Sequence, residues 1–451
     1  MTDFKFKYGQ SEIEFSLDDK NVLGVLELAE TCEKVPDVKQ AIIDSLRNPI
    51  GSKPLSYLIR ERNAKKIAVI LEDITRPNPD YPEILSALVS ELKDAGIKPS
   101  PASKKDGQQE QGAVFLRPGV PEQWECVKFI VAYGTHRKQT DEETEKLYGA
   151  EIAEFGEIIH HDCDNKKKLA SAGTFSSGDD LMINKYAAEA DFIITTGNIE
   201  PHTFAGYGGG RKAILPGVSS RKTITQNHSK VVNPNTAMGV LDNNPIHLNM
   251  IEAAKIVART RGFFILNIIR NRKKELAKVF SGNVEEAFYE GVGFSEKMHL
   301  VEVDQPADVV IVSSGGAPKD FNLYQAQKAV SASSYITRRN GTIILLAQCR
   351  DGVGQTVFEN WMSVYGVNEI LCKQECEIEV EGHRAYLTAK ILKDIEIIVI
   401  SSIKQETIEK MKYTWKENIA EALEYVAKKH GGDFKAYVIP NGSSILPRIK
   451  K

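Results

Sequence analysis

The sequence predicts an α/β protein, with two α/β domains on largely parallel sheets. Three observations carry that prediction. Short apolar runs that read as buried strands alternate with amphipathic helical stretches along the chain. The polar clusters DITR (73–76), GTHR (134–137) and EPH (200–202) each follow such a run, so they are expected to gather at the carboxyl edge of one sheet. At 451 residues the chain is too long for one ordinary domain, and two are expected.

A turn at Gly9-Gln10 splits the alternating stretch 4–17 into a β-hairpin. Residues 36–47 carry a helical pattern. IAVILEDITRP (67–77) is a strand with a polar exit, and 81–96 is a helix with Leu85, Leu88, Val89 and Leu92 on one face. Residues 99–124, rich in Pro, Gly, Gln and Lys, read as a surface insertion. VKFIVAYGTHR (127–137) is the next strand, and a helix capped at Thr140 or Asp141 follows it. Then come a short strand (156–165), a helix (184–190) and the strand DFIITTGNIEPH (191–202). A hairpin over about 262–283 and a helix over 284–299 close the first half. DVVIVSSGG (308–316) opens the second domain. A helix at 322–336, strands at 341–349 and 394–402, a helix at 418–431 and a strand at 435–442 continue it. The domains are set at 1–295 and 296–451, with the last strand a candidate to return to the first.

Composition narrows the function. An apolar fraction of 42% and a charged fraction of 26% belong to a globular, water-soluble chain. Fifty-eight basic against 61 acidic residues give a formal charge of −3, without the basic face that nucleic acid needs. The 6 cysteines are scattered, and the Cys372/Cys376 pair has no second pair to complete a zinc site. The start, MTDFKFKYGQ, has charges where a signal peptide needs an apolar core, and no run approaches the roughly 18 apolar residues of a membrane span. A cytoplasmic protein with neither membrane nor nucleic-acid partner is expected.

The most informative stretch runs from Gly197 to His228. It holds His202, His228, Lys212 and the glycines Gly206, Gly208, Gly209 and Gly210, between Pro201 and Pro216. Glycines at that density permit positive φ and close backbone approach to a ligand. A Gly-rich surface turn with a solvated Arg211-Lys212 pair is the plain alternative. GYGGGRKA is neither a Walker A loop nor G-x-G-x-x-G, so a simple ATPase or dehydrogenase is disfavoured. His136 and His202 both end strands of one expected sheet, and imidazole is suited to taking and returning a proton near neutrality. Arg76 can clamp a carboxylate or phosphate bidentately. Gln325 and Lys328, at i and i+3, share one helix face. His160 and His161 are adjacent, cannot easily both point inward, and are read as structural.

Together DITRP (73–77), GTHR (134–137), EPHTFAGYGGGRKAILPGVSS (200–220), QNH (226–228) and LYQAQKA (323–329) resemble the nickel-dependent lactate racemase family, in the same order over about residues 10–440. The resemblance implies a two-domain α/β fold with the active site in the interdomain cleft. It implies a nickel pincer nucleotide: a pyridinium-3,5-bisthiocarboxylic acid mononucleotide holding Ni(II). By position, Lys212 corresponds to the lysine that tethers this cofactor through a thioamide, and His228 to the nickel ligand. His136 and His202 correspond to the catalytic acid/base pair. Asp73, Ile74, Thr75 and Arg76 correspond to the segment touching cofactor and substrate, with Arg76 on the substrate carboxylate. Gln325 and Lys328 correspond to residues reaching in from the second domain to cofactor and substrate. The implied activity is racemisation or epimerisation of a 2-hydroxy acid, lactate by default, by reversible hydride transfer. The implied partners are that substrate and the proteins that make the cofactor. Two rival readings stand beside it: a zinc-type hydrolase using His136, His160, His161 and His202, and a non-enzymatic nucleotide-binding regulator using the glycine loop alone.

Overall fold

Two six-stranded sheets organise the computed structural model, which describes residues 1–28, 32–76, 78–99 and 127–450. The first sheet runs in the order Leu276–Gly282, Gly262–Arg270, Phe192–Asn198, Ile67–Glu72, Lys128–Ala132 and Glu157–His160. All its neighbours are parallel except the outermost pair, the hairpin of Gly262–Arg270 with Leu276–Gly282. Ile67 to Leu71 are fully buried, as a strand covered by helices on both faces must be. The helix Tyr81–Asp94 lies against it through Leu85, Leu88, Val89 and Leu92. Thr140 caps the helix Asp141–Tyr148 in a reciprocal capping box with Glu143.

The second sheet is wholly parallel: Thr414–Trp415, Glu396–Ile400, Thr337–Leu346, Ala307–Ser313, Ala436–Ile439 and Val22–Val25. Its last member corrects the expected division at 295. The strand Val22–Val25 pairs with Ala436–Ile439, and the hairpin Thr2–Tyr8/Ser11–Leu17 packs Phe4, Phe6, Phe15 and Leu17 onto the same core as Val309 and Ile344. Hairpin periodicity says which face is apolar, not which distant sheet will cover it. The final strand, Leu446–Ile449, runs parallel to Leu300–Val303, and Leu446 joins a core cluster containing Ile199, Tyr207 and Phe280.

The remaining differences are local. The strand expected over 67–77 stops at Glu72, because Asp73 turns the chain with its own side chain. The hairpin Leu169–Thr174/Asp180–Asn184 and the helices Pro245–Thr260, Thr356–Val364, Val367–Leu371 and Gly382–Leu392 were not anticipated. The insertion expected at 99–124 lies, from Ser100 onward, outside the described residues. Among the described residues no helix is long and apolar enough to cross a membrane.

Candidate active site

In the first sheet the chain leaves Ile67–Glu72 toward one edge and returns on the other side as Phe192–Asn198. Loops diverge at such a reversal and leave a crevice at the strand carboxyl ends. DITR, GTHR and EPH all open into it. The helices Leu323–Ser334 and Gly382–Leu392 of the second domain close the far wall. Asp73, Thr75, Arg76, His136, His202, Lys212, His228, Gln325 and Lys328 therefore line one cavity. Ile74 is the exception. Its side chain packs on the core around helix Tyr81–Asp94, and its N–H donates to Gln139 Oε1 at 3.2 Å. The turn at Asp73 carries the Ile74 side chain away from the cavity while Thr75 and Arg76 stay on it.

Asp73 is the hinge of the first wall. Its Oδ1 accepts from the Thr75 N–H at 3.1 Å and the Thr75 hydroxyl at 2.5 Å, an Asx turn that sets Arg76 at the mouth. Its Oδ2 accepts from His136 Nδ1 at 2.7 Å. A carboxylate only accepts, so His136 carries its proton on Nδ1 and leaves Nε2 as its basic nitrogen. Burial alone would raise the Asp73 carboxyl. The charge and hydrogen bond of His136, with the Thr75 hydroxyl, outweigh it and hold the group below its ordinary value.

The glycine segment is largely buried, which sets aside the plain alternative of a solvated Arg211-Lys212 pair. Arg211 is fully buried. Its Nε donates to His247 Nδ1 at 2.8 Å, and its Nη atoms donate to the carbonyls of Ala205, Tyr207, Gly208 and Gly209. A Cβ on Gly208 would lie 2.7 Å from the Asn198 carbonyl oxygen. Part of the glycine requirement is therefore the chain's own packing against the strand Phe192–Asn198. Arg211 fixes the loop, and the next residue, Lys212, faces the cavity. Burial, with Arg76, Arg211 and Lys328 nearby, pushes the Lys212 ammonium well below its ordinary range, toward a neutral nucleophilic amine.

His202 and His228 differ from His136 in how they are held. The Ala205 N–H donates to His202 Nδ1 at 3.3 Å, so the neutral His202 ring keeps its proton on Nε2. Burial, reinforced by Lys212, Arg76, Arg384 and Lys328, holds His202 well below the usual imidazole range. His228 ends the helix Arg221–His228, which Ser220 caps. Asn227 Nδ2 donates to the Ile246 carbonyl and to Asn249 Oδ1, which turns its own Oδ1 to His228 Nδ1 at 3.1 Å. That bond places the ring proton on Nδ1 and leaves Nε2 as an acceptor, the arrangement of an oriented metal-ligating imidazole. Burial, with Lys212 and Arg384 beside it, lowers His228 to about 3, so it is neutral at pH 7.

Among the lining residues that the sequence reading missed, two matter most. His383 and Arg384 open the helix Gly382–Leu392. The His383 ring meets His228 edge-on at 4.9 Å, and both pack on Phe204, which also meets His202 at 4.6 Å. A Gly-His-Arg triplet at the head of an apolar helical pattern was the available signal. Among the described residues Arg76, Lys212, Lys328 and Arg384 line the cavity without any ion pair. Such a cavity is built for anions.

His160 and His161 stand apart from the cavity lining. His160 Nδ1 bonds to the Tyr133 hydroxyl at 2.6 Å, and His161 Nε2 to the Ser219 carbonyl at 3.0 Å. Among the described residues no three His, Cys, Asp or Glu side chains are grouped to hold a metal ion, which removes the donor set of the zinc-hydrolase reading.

Comparison with known proteins identifies the family. The lactate racemase N-terminal domain matches residues 8–101 and 116–239, and the lactate racemase C-terminal domain matches 302–446. The chain is 33% identical, over the full length of both proteins, to a lactate racemase of Thermoanaerobacterium thermosaccharolyticum. It is 32% identical to a lactate racemase of Lactiplantibacillus plantarum, with 97% of this chain and 98% of the relative covered. The structure of the T. thermosaccharolyticum lactate racemase apoprotein superposes with a TM-score of 0.85 at 32% identity, covering 99% of this chain and 100% of that one. A Thermotoga maritima protein shares the fold at 17% identity, with a TM-score of 0.65, over 94% of this chain and 100% of its own.

Proposed function

The chain belongs to the lactate racemase family and is an isomerase, and from that premise we propose that it interconverts the enantiomers of a 2-hydroxy acid, with lactate the default substrate. The observation that carries the reading is that His136 and His202 line one cavity with Lys212 and His228, beside Arg76, Lys328 and Arg384.

The cavity's donor set suits a nickel pincer nucleotide. It offers one neutral imidazole acceptor, His228 Nε2, where the pincer supplies the other donors. It offers a lysine amine shifted toward neutrality, Lys212, as the tether. When bound, that cofactor supplies reversible hydride acceptance from the substrate's α-carbon.

The protein residues do the rest. Arg76, Gln325 and Lys328 hold the substrate carboxylate, drawing it between the two domains. His136, with Nδ1 committed to Asp73, takes the hydroxyl proton at Nε2. His202 presents Nε2–H toward substrate oxygen. The two neutral rings thus start as different tautomers, His136 accepting at Nε2 and His202 donating a hydrogen bond, and His202 acts as the acid only after it has taken up a second proton at Nδ1. His136 is 41% exposed and can exchange its proton with water, whereas Asp73 behind it is 3% exposed. Phe204, packed on three histidine rings, keeps water from the reacting oxygen.

A chiral assay tests the reading. Protein co-expressed with the cofactor-synthesis proteins is expected to convert L-lactate and D-lactate to a racemate. A nickel-loaded, Lys212-modified protein inert toward lactate, malate, phenyllactate and aldonic acids would overturn it.

A further inference from the structure

We propose that Arg384 recognises a second anionic group on the substrate, so that the preferred 2-hydroxy acid is a dicarboxylate of the malate type. The proposal rests on the 2-hydroxy acid reading and narrows it.

Arg384 is 4% exposed, yet it stands on the cavity wall. Its Nη1 donates to Thr203 Oγ1 at 3.3 Å, and its guanidinium carbon lies 5.2 Å from the Tyr324 ring centroid. The guanidinium also meets the Tyr324 hydroxyl, and among the described residues its Nε is buried with no hydrogen-bond partner. Glu381, on the same helix start, also lines the cavity, but it takes a backbone N–H from Val357 and faces the charge of Arg221. A buried guanidinium with an open N–H and no counter-ion is costly to keep, and a carboxylate answers it with two parallel bonds.

The other cavity cations already have tasks. Arg76 and Lys328 meet the carboxylate next to the reacting carbon, and Lys212 loses its charge on becoming a thioamide. Arg384 is left over. The cofactor's phosphate is an alternative anion, and the test below separates the two. Arg384 stands at the histidine end of the cavity. Its partner Thr203 follows His202 directly, and its neighbour His383 packs on His228. An anion arriving from that end belongs to the substrate, on the carbon chain beyond the hydroxyl-bearing carbon.

The test compares malate with lactate on holoenzyme and, by titration calorimetry, on apoprotein. Wild type is expected to favour malate at least tenfold in kcat/KM and to bind it more tightly. Arg384→Gln should collapse that ratio toward one with unchanged nickel and adduct mass, and Arg384→Lys should restore part of it. Thr203→Val, which keeps the cation, should keep the ratio and so separates charge recognition from a structural latch. Turnover of lactate but not malate would overturn the proposal and leave the family reading intact. Loss of bound nucleotide in Arg384→Gln with an unchanged ratio would assign Arg384 to the phosphate instead. A fully loaded enzyme inert toward both acids would overturn both readings.

Discussion

His136 Nδ1 and Asp73 Oδ2 meet at 2.7 Å, a buried carboxylate behind a half-exposed ring. The carboxylate fixes which imidazole nitrogen is basic. Asp73→Asn keeps the shape but removes the charge and allows the ring to flip its proton. The expected outcome is a fall in kcat of about 10²-fold or more, with KM changed little. Steady-state racemisation kinetics check it, and an unchanged kcat would show that Asp73 only holds the turn.

The three cavity histidines should separate by assay. His136→Ala and His202→Ala are expected to abolish racemisation with nickel content nearly intact. His228→Ala is expected to lose nickel. Elemental analysis beside the chiral assay decides, and metal loss in the first two with retention in the third would reverse the assignment.

Lys212 should carry the cofactor covalently. Intact mass and peptide mapping of protein co-expressed with the synthesis enzymes are expected to find the adduct on Lys212 and to lose it in Lys212→Ala. An adduct on another residue would refute the tether.

Acid should weaken the fold through histidines buried in neutral form. Burial lowers His161 to about 4 and His228 to about 3, from an ordinary value of 6.5. The unfolded chain therefore takes up protons below pH 6.5 that the folded chain refuses, and stability falls as pH drops from there toward 4. Each such imidazole contributes a slope on the order of 1.4 kcal/mol per pH unit in that window. Urea unfolding at pH 7.5, 6 and 5 measures it, and His161→Asn should flatten the slope. Equal midpoints at pH 7.5 and 5 would contradict the prediction.

Arg211 should matter to stability more than its place beside the tether suggests. Arg211→Met takes the guanidinium donor from the carbonyls of Tyr207 and Gly208, and one of two donors from that of Ala205. A loss of roughly 3 kcal/mol is expected, read as a lowered Tm. A Tm within one degree of wild type would show that the loop holds itself.

Much of the site was legible because its residues sit in short polar bursts after apolar strands, and parallel-sheet topology brings such bursts together. DITR, GTHR and EPH needed no more than that. Ile74 does not line the cavity with its neighbours because a motif names consecutive residues, while the turn at Asp73 decides which of their side chains reach it. The part Arg211 plays was not legible because a buried arginine looks like a surface arginine until its carbonyl partners are known. His383 and Arg384 were missed because they reach the cavity by domain packing over a separation of 181 positions between Arg384 and Thr203, which no local pattern records.

The strand Val22–Val25 also bears on how the protein is made. It waits for Ala436–Ile439, and beside it Asn21 donates to the Phe434 carbonyl across 413 positions of chain. At ribosomal rates of about 5–20 residues per second, that wait lasts on the order of 20–80 s. A strand made early is thus among the last to be paired. Its partner sheet edge stays incomplete until Ala436–Ile439 is made, and Val22–Val25 is a segment that a chaperone would have ample time to meet.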